Sequence, residues 1–107
     1  MKRAPNDCAD MAELRREIDR LDRELVAMLS ERRRYIERAA ELKRGNGWPA
    51  RIETRVEEVV ARARRTAEEN ELDPELVEAL WRRLIDWSIA LEERRLGPGH
   101  GRDLGRD

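Results

Sequence analysis

A helical period of apolar residues dominates the first part of this 107-residue chain and constrains its fold more than any other feature. Between about Asp10 and Arg44, apolar side chains recur three and four residues apart, which is the spacing of one helix face and not the alternation of a strand. The positions on this face are Leu14, Ile18, Leu21, Leu25, Met28, Tyr35, Ile36, Ala39 and Leu42. The turn formers Gly45-Asn46-Gly47-Trp48-Pro49 follow, so we expect the helix to end there.

Two further helices are predicted, and nothing in the sequence reads as a strand. The second runs from about Arg51 to Asn70 and carries small and β-branched residues on one face. The third starts at Asp73, a preferred N-cap residue, with Pro74 as its first helical residue, and ends at Gly97. We therefore predict an all-α fold of three helices over residues 10–96, with a flexible leader over 1–9 and a flexible tail over 97–107.

The length of the first helix predicts a partner for it. A helix of about 35 residues is about 50 Å long, whereas a compact chain of this size has a radius of gyration of about 13 Å. Its apolar face would lie in water, so we expect a second copy to cover it in an intertwined, two-fold homodimer. A monomeric three-helix bundle with a bent first helix is the alternative, but the sequence offers no break before Gly45.

Composition disfavours several classes of protein. The 23 basic and 24 acidic residues leave a formal net charge of −1, which disfavours a general nucleic-acid-binding surface. The single Cys8 and single His100 exclude a disulfide framework and an ordinary Cys/His zinc site, so we expect no metal. No apolar run reaches the roughly 20 residues of a membrane span, and no apolar segment follows Met1-Lys2-Arg3. We therefore expect a cytoplasmic protein without a secretory signal or a membrane partner.

Two cations interrupt the apolar face of the first helix. Arg32 continues the apolar line past Met28, and Lys43 lies eleven residues, about three turns, further on the same face. Cations on an apolar face are costly unless an anion compensates them. Lys43 is one of only two lysines among the basic residues, which indicates a specific use of its compact ammonium group. The spacing predicts a site for a small anionic molecule between Arg32 and Lys43.

Four more polar residues border apolar faces. Arg15 lies about 25 Å from Arg32 along the helix, too far to share a small ligand within one chain, but an antiparallel partner would bring it close. Arg55 lies one turn into the second helix, and Ser88 and Glu92 extend an apolar line of the third. A simple ion pair with an Arg on a neighbouring helix would also explain Glu92. Together the residues describe a pocket with three or four cations, one hydroxyl, one carboxyl and no nucleophile.

These residues resemble the all-helical chorismate mutases. The resemblance covers about residues 10–96 and rests on Leu14–Asp22, Glu31–Arg33 with Lys43, Arg55, and Asp86–Glu92. It implies an interlocked homodimer that needs no cofactor and converts chorismate to prephenate on the route to phenylalanine and tyrosine. It also implies two equivalent sites, each of which takes an Arg from the other chain.

The resemblance further implies a role for each binding residue. Arg15 of the partner subunit and Arg32 would hold the two carboxylates of the substrate. Arg55 would sit near the ring and help to hold the enolpyruvyl side, and Ser88 would line the site near the ring carboxylate.

The same resemblance implies that Lys43 and Glu92 act on the breaking C–O bond. Lys43 would donate to the ether oxygen. Glu92 stands where many members have a Gln that donates to this oxygen, so Glu92 must be protonated to do the same. A second departure is Val56, because some members carry a Glu at that position, facing the ring hydroxyl.

Several alternatives remain open. Isochorismate pyruvate lyase, on the same fold, is favoured by the leader 4–8, by Arg55-Val56 and by Trp87, whereas the loop 44–51 and Ser88 look more like the mutase. A mutase for an amino-substituted chorismate would need only small changes in the pocket. A non-catalytic helical dimer, or a nucleic-acid-binding dimer that uses its surface arginines, belongs to a different class. The lack of aromatic stacking platforms disfavours the last of these.

Overall fold

The computed structural model describes residues 2–100, which contain three α-helices and no strand, so the prediction of an all-α fold is confirmed. The helices are α1 (Met11–Asn46), α2 (Glu53–Glu69) and α3 (Pro74–Leu96), and a short 3-10 helix at Pro5–Asp7 precedes them. The described residues divide into two compact units, one that ends at Arg34 and one that begins at Tyr35. The tail residues 101–107, for which we predicted flexibility, lie outside the described residues.

Side-chain caps fix the start of α1 in the first unit. The Asp10 carboxylate accepts a hydrogen bond from the backbone N–H of Glu13 at 2.9 Å, and the Glu13 carboxylate accepts one from the N–H of Ala9 at 2.7 Å. The Asp10 carboxylate satisfies an N–H that the first turn leaves without a partner, and the Glu13 carboxylate holds the residue before the cap. The negative charge of both suits the helix N-terminus. The N–H of Arg3 also donates to Glu17 at 3.2 Å. The leader therefore contacts α1, while its flexibility stays a prediction.

Most of the predicted apolar face of α1 lies in water in the first unit. No side chain among residues 2–34 is buried. Ile18, Leu21, Leu25 and Met28 are between 47% and 66% exposed. Contiguous apolar surface of this kind is typical of a surface that another protein covers.

α1 ends two residues later than the sequence predicts. Gly45 remains helical, and the end comes at Gly47, which has a φ of +78° in the left-handed region. The N–H of Gly47 donates to the carbonyl oxygen of Lys43 at 2.8 Å. Glycine adopts this conformation without the steric penalty that a Cβ imposes, so Gly47 can end the helix, although Gly45 has the same conformational freedom.

The bounds of α2 and α3 follow from local signals. α2 is shorter than predicted by two residues at its start and one at its end. Asp73 caps α3 by accepting from the N–H of Glu75, and Pro74 is the first helical residue, as predicted. The N–H of Gly97 closes the far end on the carbonyl of Glu93 at 3.0 Å. Within residues 2–100, no helix combines the length and the apolar content that crossing a membrane demands.

A small apolar core joins α2 to α3 in the second unit. Its buried members are Val56 and Val60 of α2, Ile85 and Ile89 of α3, and Ala50 of the α1–α2 loop. Burial of these aliphatic side chains is the main favourable contribution to the packing of the two helices. Because Ala50 belongs to the core, the backbone of the loop at this position is fixed as well.

An ion-pair network on the surface also links α2 and α3. Arg82 contacts Glu57 at 3.0 Å and Glu78 at 2.7 Å, while Arg64 contacts Glu75 at 2.9 Å and Glu78 at 2.8 Å. Hydrogen bonds from Arg82 hold the pKa of both Glu57 and Glu78 below their usual values. The network therefore favours the ionised carboxylates in the folded chain.

Candidate functional site

One face of α3 carries the polar residues that the sequence places on an apolar line. Ile85, Ser88 and Glu92 are all buried, with 6%, 3% and 5% of their surfaces exposed, and Trp81 at the start of the line is half-buried. Ser88 and Glu92 are the buried polar or charged residues within the described chain. The hydroxyl of Ser88 donates to the carbonyl oxygen of Leu84 at 2.8 Å, which satisfies its proton one turn back along the helix.

Lys43 of α1 and Glu92 of α3 form an ion pair in this buried region. The ammonium Nζ lies 2.6 Å from Oε1 of Glu92, and their side chains are 16% and 6% exposed. The same ammonium donates to the carbonyl oxygen of Ala50 at 2.7 Å. Lysine has three N–H donors, so two are taken by these acceptors and one is left for a ligand.

Burial makes this pair sensitive to what surrounds it. Removing two charges from water costs several kcal/mol per ion, and their attraction offsets that cost only when the geometry is good and other hydrogen bonds help. The Ala50 carbonyl supplies such a bond to Lys43. No buried side-chain nitrogen or oxygen among residues 2–100 lacks a hydrogen-bond partner. The ammonium is therefore held in one position by two oxygens from separate segments of the chain.

Arg55 lies in a different setting within the second unit. Its guanidinium pairs with Glu58 on its own helix, and more than half of its side chain is exposed. It lines a groove of about 420 Å³ between α2 and α3, together with Trp81. The ion pair of Arg55 is thus with Glu58 and not with Glu92, and its predicted place beside the substrate ring stays a prediction.

Arg15 and Arg32 belong to the first unit. Arg15 is exposed on the second turn of α1, and Arg32 is half-buried near the end of this unit. Their predicted roles as partners of the two substrate carboxylates stay predictions.

The Ala50 carbonyl is a site group that sequence reasoning missed. A backbone carbonyl carries no signature in the residue type, because each residue has one. The only available signal was the position of Ala50, just past the glycine-rich turn that follows Lys43.

The Lys43–Glu92 arrangement suits the binding of an oxygen that carries or develops negative charge. A donor that is already fixed in a water-poor setting needs no reorganisation when the charge forms, and it interacts more strongly there than in water. Among residues 2–100, no group of three or more His, Cys, Asp or Glu side chains is arranged to hold a metal ion.

Comparison with known proteins finds similarity over nearly the whole helical region. The family model of chorismate mutase type II matches residues 14–93, a range that includes every site residue predicted above. The chain is also similar to the isochorismate pyruvate lyase of Pseudomonas aeruginosa. The two are 36% identical over 88 residues, which are 82% of this chain and 86% of that protein.

Proposed function

This chain belongs to the chorismate mutase type II family, and we propose that it catalyses the Claisen-type rearrangement of chorismate to prephenate. The observation that carries the proposal is the Lys43 ammonium, which Glu92 and the Ala50 carbonyl hold and which has one further N–H to donate.

The chemistry of this reaction fits such a donor. The rearrangement breaks a C–O bond and forms a C–C bond within one molecule, so no group is transferred to the protein. Its barrier falls when the flexible dicarboxylate is held in the compact reactive conformer. The barrier falls further when donors meet the negative charge that grows on the ether oxygen. The remaining N–H of Lys43 serves this second purpose.

The other charged residues serve the first purpose in this proposal. Arg32 and Arg15 of the partner subunit bind the two carboxylates and fix the substrate conformer. Arg55 holds the enolpyruvyl side, and Ser88 lines the site near the ring carboxylate. The partner's contribution makes a homodimer part of the proposal, and the exposed apolar face of α1 supports it, since a second copy would remove that face from water. A cytoplasmic location stays a prediction.

Glu92 has two tasks in this scheme. Its Oε1 accepts from Lys43 and thereby orients the ammonium. Its Oε2 donates to the ether oxygen only when it carries a proton, because an ionised carboxylate is an acceptor alone. A glutamine at this position provides a carbonyl oxygen for Lys43 and a permanent N–H for the ether oxygen.

Isochorismate pyruvate lyase activity is the second candidate. The similarity to the Pseudomonas aeruginosa enzyme favours it. Val56 favours it as well, because the side chain is buried in the α2–α3 core and offers no group to a ring hydroxyl. Chorismate and isochorismate differ in the position of that hydroxyl, so its surroundings decide between the two substrates.

A two-substrate assay tests the proposal. The purified protein is incubated separately with chorismate and with isochorismate, and the products are identified. We expect loss of chorismate and formation of prephenate, detected as phenylpyruvate after acid treatment. Pyruvate and salicylate from isochorismate, without prephenate, would establish the lyase instead. Inactivity on both substrates would contradict both candidates and favour a non-catalytic dimer.

A further inference from the structure

The last described turn of the chain, residues 97–100, is hydrogen-bonded to the α1–α2 loop, residues 47–52. The ring Nε2 of His100 lies 2.7 Å from the carbonyl oxygen of Trp48. A carbonyl oxygen only accepts, so Nε2 carries the hydrogen and donates it. Both the neutral ring with its proton on Nε2 and the protonated ring make this bond.

Contacts between α3 and α1 support the turn that carries His100. The guanidinium of Arg44, near the end of α1, donates to the carbonyl oxygen of Arg95 in the last turn of α3. The side chain of Arg95 in turn pairs with Glu37 of α1. These contacts join the ends of α1 and α3, so His100 reaches the loop from a supported position.

The loop also carries the backbone acceptor of Lys43. Ala50 lies two residues after Trp48, and its carbonyl oxygen accepts from the Lys43 ammonium at 2.7 Å. Arg51, the next residue, contacts Asp86 of α3 at 2.8 Å. A shift of the loop backbone would therefore move an oxygen that holds the ammonium.

A hydrogen bond connects the Trp48 end of the loop to the C-terminal turn across a cleft. The two segments enclose a cleft of about 380 Å³, whose walls include Pro49, Ala50, Pro98 and His100. Interiors that are held by packing leave few voids of this size. Ala50 itself packs in the core, so loss of the His100 bond would act on Trp48 and Pro49, the two residues that lead into it, and leave the Trp48 backbone with its bond to Asn46.

We propose that His100 is a positioning residue, which holds the α1–α2 loop so that the Ala50 carbonyl keeps the Lys43 ammonium in place. The catalytic consequence rests on the proposed function, whereas the mechanical link between His100 and Lys43 does not. His100 touches Trp48 and not the reacting atoms, so it acts through the loop.

The first test is competitive acetylation of the folded protein, read by mass spectrometry of its peptides. The chain has two lysines, so Lys2 serves as an internal reference for Lys43. His100→Ala should raise the ratio of Lys43 to Lys2 labelling by about two- to tenfold, the range that loss of one net hydrogen bond allows. His100→Gln, whose amide N–H can reach the same carbonyl, should label like the wild type.

A surface control separates this link from general loosening. Arg38 pairs with Glu41 through exposed side chains of α1, and Arg38→Ala should leave the labelling ratio unchanged. An unchanged ratio in His100→Ala would overturn the proposal, as would an equal rise in Arg38→Ala. Circular dichroism checks that each variant is folded. If His100→Ala does not fold, His100→Asn replaces it, because its shorter amide does not reach Trp48. Labelling of His100→Asn like that of the wild type would overturn the proposal.

The second test is kinetic, with whichever substrate the wild type converts. His100→Ala should lower kcat by up to about tenfold while KM changes less, and His100→Gln should restore kcat. Raised Lys43 labelling with an unchanged kcat would overturn the positioning role. If the wild type converts neither substrate, the proposed function fails, and the labelling ratio still decides whether His100 holds Lys43.

Discussion

The buried pair of Lys43 and Glu92 makes a quantitative prediction about stability. Replacing Glu92 with Met leaves the Lys43 ammonium with the Ala50 carbonyl as its remaining acceptor within the described residues. Replacing Lys43 with Met leaves a carboxylate on a side chain that is only 6% exposed. Either change uncouples a charge that the fold has largely removed from water, so we expect both single variants to be destabilised.

The expected magnitude follows from the burial of the two groups. Removal of one partner from a buried ion pair costs about 3–5 kcal/mol, whereas replacement of both by apolar groups of similar size is often neutral or stabilising. Lys43 is 16% exposed and keeps one acceptor, so we place Glu92→Met at the lower end, about 3 kcal/mol. For a domain of this size, that corresponds to a fall in Tm of about 12 °C or more. The double variant should lie within about 1 kcal/mol of the wild type, because no unpaired charge remains.

Urea unfolding followed by circular dichroism measures these differences. The protein concentration must be the same for all variants, since dimer formation would contribute to apparent stability. Arg38→Ala removes an exposed pair, in which both side chains are at least 60% exposed, and should cost less than about 1 kcal/mol. The reasoning would be refuted if each Met variant lost less than about 1 kcal/mol of unfolding free energy and the double variant lost the sum of the two. Such additivity is the behaviour of residues that do not interact.

Three further predictions concern assembly, Glu92 and pH. Mixing inactive Arg15→Ala and Lys43→Ala chains should restore part of the activity, because one of the two sites in a mixed dimer carries neither lesion. Glu92→Gln should keep most of the activity at neutral pH, because its amide supplies a permanent N–H donor, whereas Glu92→Ala should lose it, as initial rates would reveal. Arg82→Ala should lower the urea midpoint at pH 7, and this difference should shrink as pH falls below about 4.5. The sign follows because Arg82 lowers the pKa of Glu57 below its ordinary value of 4.5, so the stabilisation is present above that pH and is lost as the carboxylate is protonated.

Each of these predictions has an outcome that contradicts it. No recovery of activity, with subunit exchange confirmed by mass spectrometry, would count against Arg15 acting in the partner's site. A folded Glu92→Ala variant with the rate of the wild type would leave Glu92 as a structural partner of Lys43 alone. An Arg82→Ala difference that is the same at pH 7 and pH 3 would show that ionised carboxylates are not its source.

Local chemistry explains why the helices could be predicted from the sequence. The start of α3 is predictable because Asp73 and Pro74 are residue types that are preferred at the N-cap and at the first helical position. The sequence does not define the last residue of α1, because Gly45 and Gly47 both permit a left-handed cap. The observed backbone has this conformation at Gly47. The apolar period of α1 predicts the length of the helix. It does not predict which surface covers the apolar face.

The candidate site was predictable where side chains broke an apolar pattern. Lys43 and Glu92 stood out on separate helices because a charge on an apolar face has to be compensated, and the structure brings these two into contact. The Ala50 carbonyl and the His100 bond to Trp48 could not be found in this way. One is a backbone atom, and the other joins a residue assigned to a flexible tail with a carbonyl 52 residues earlier.

The most direct measurement of the central claim follows chorismate consumption by the wild type, Lys43→Ala and Lys2→Ala side by side. The two variants each remove one of the only two lysines, so they are matched in charge and in residue type. We predict that the wild type and Lys2→Ala form prephenate at similar rates, while Lys43→Ala loses turnover and remains helical. A folded Lys43→Ala variant with a near-normal rate, or a wild type that leaves chorismate unchanged, would contradict the account.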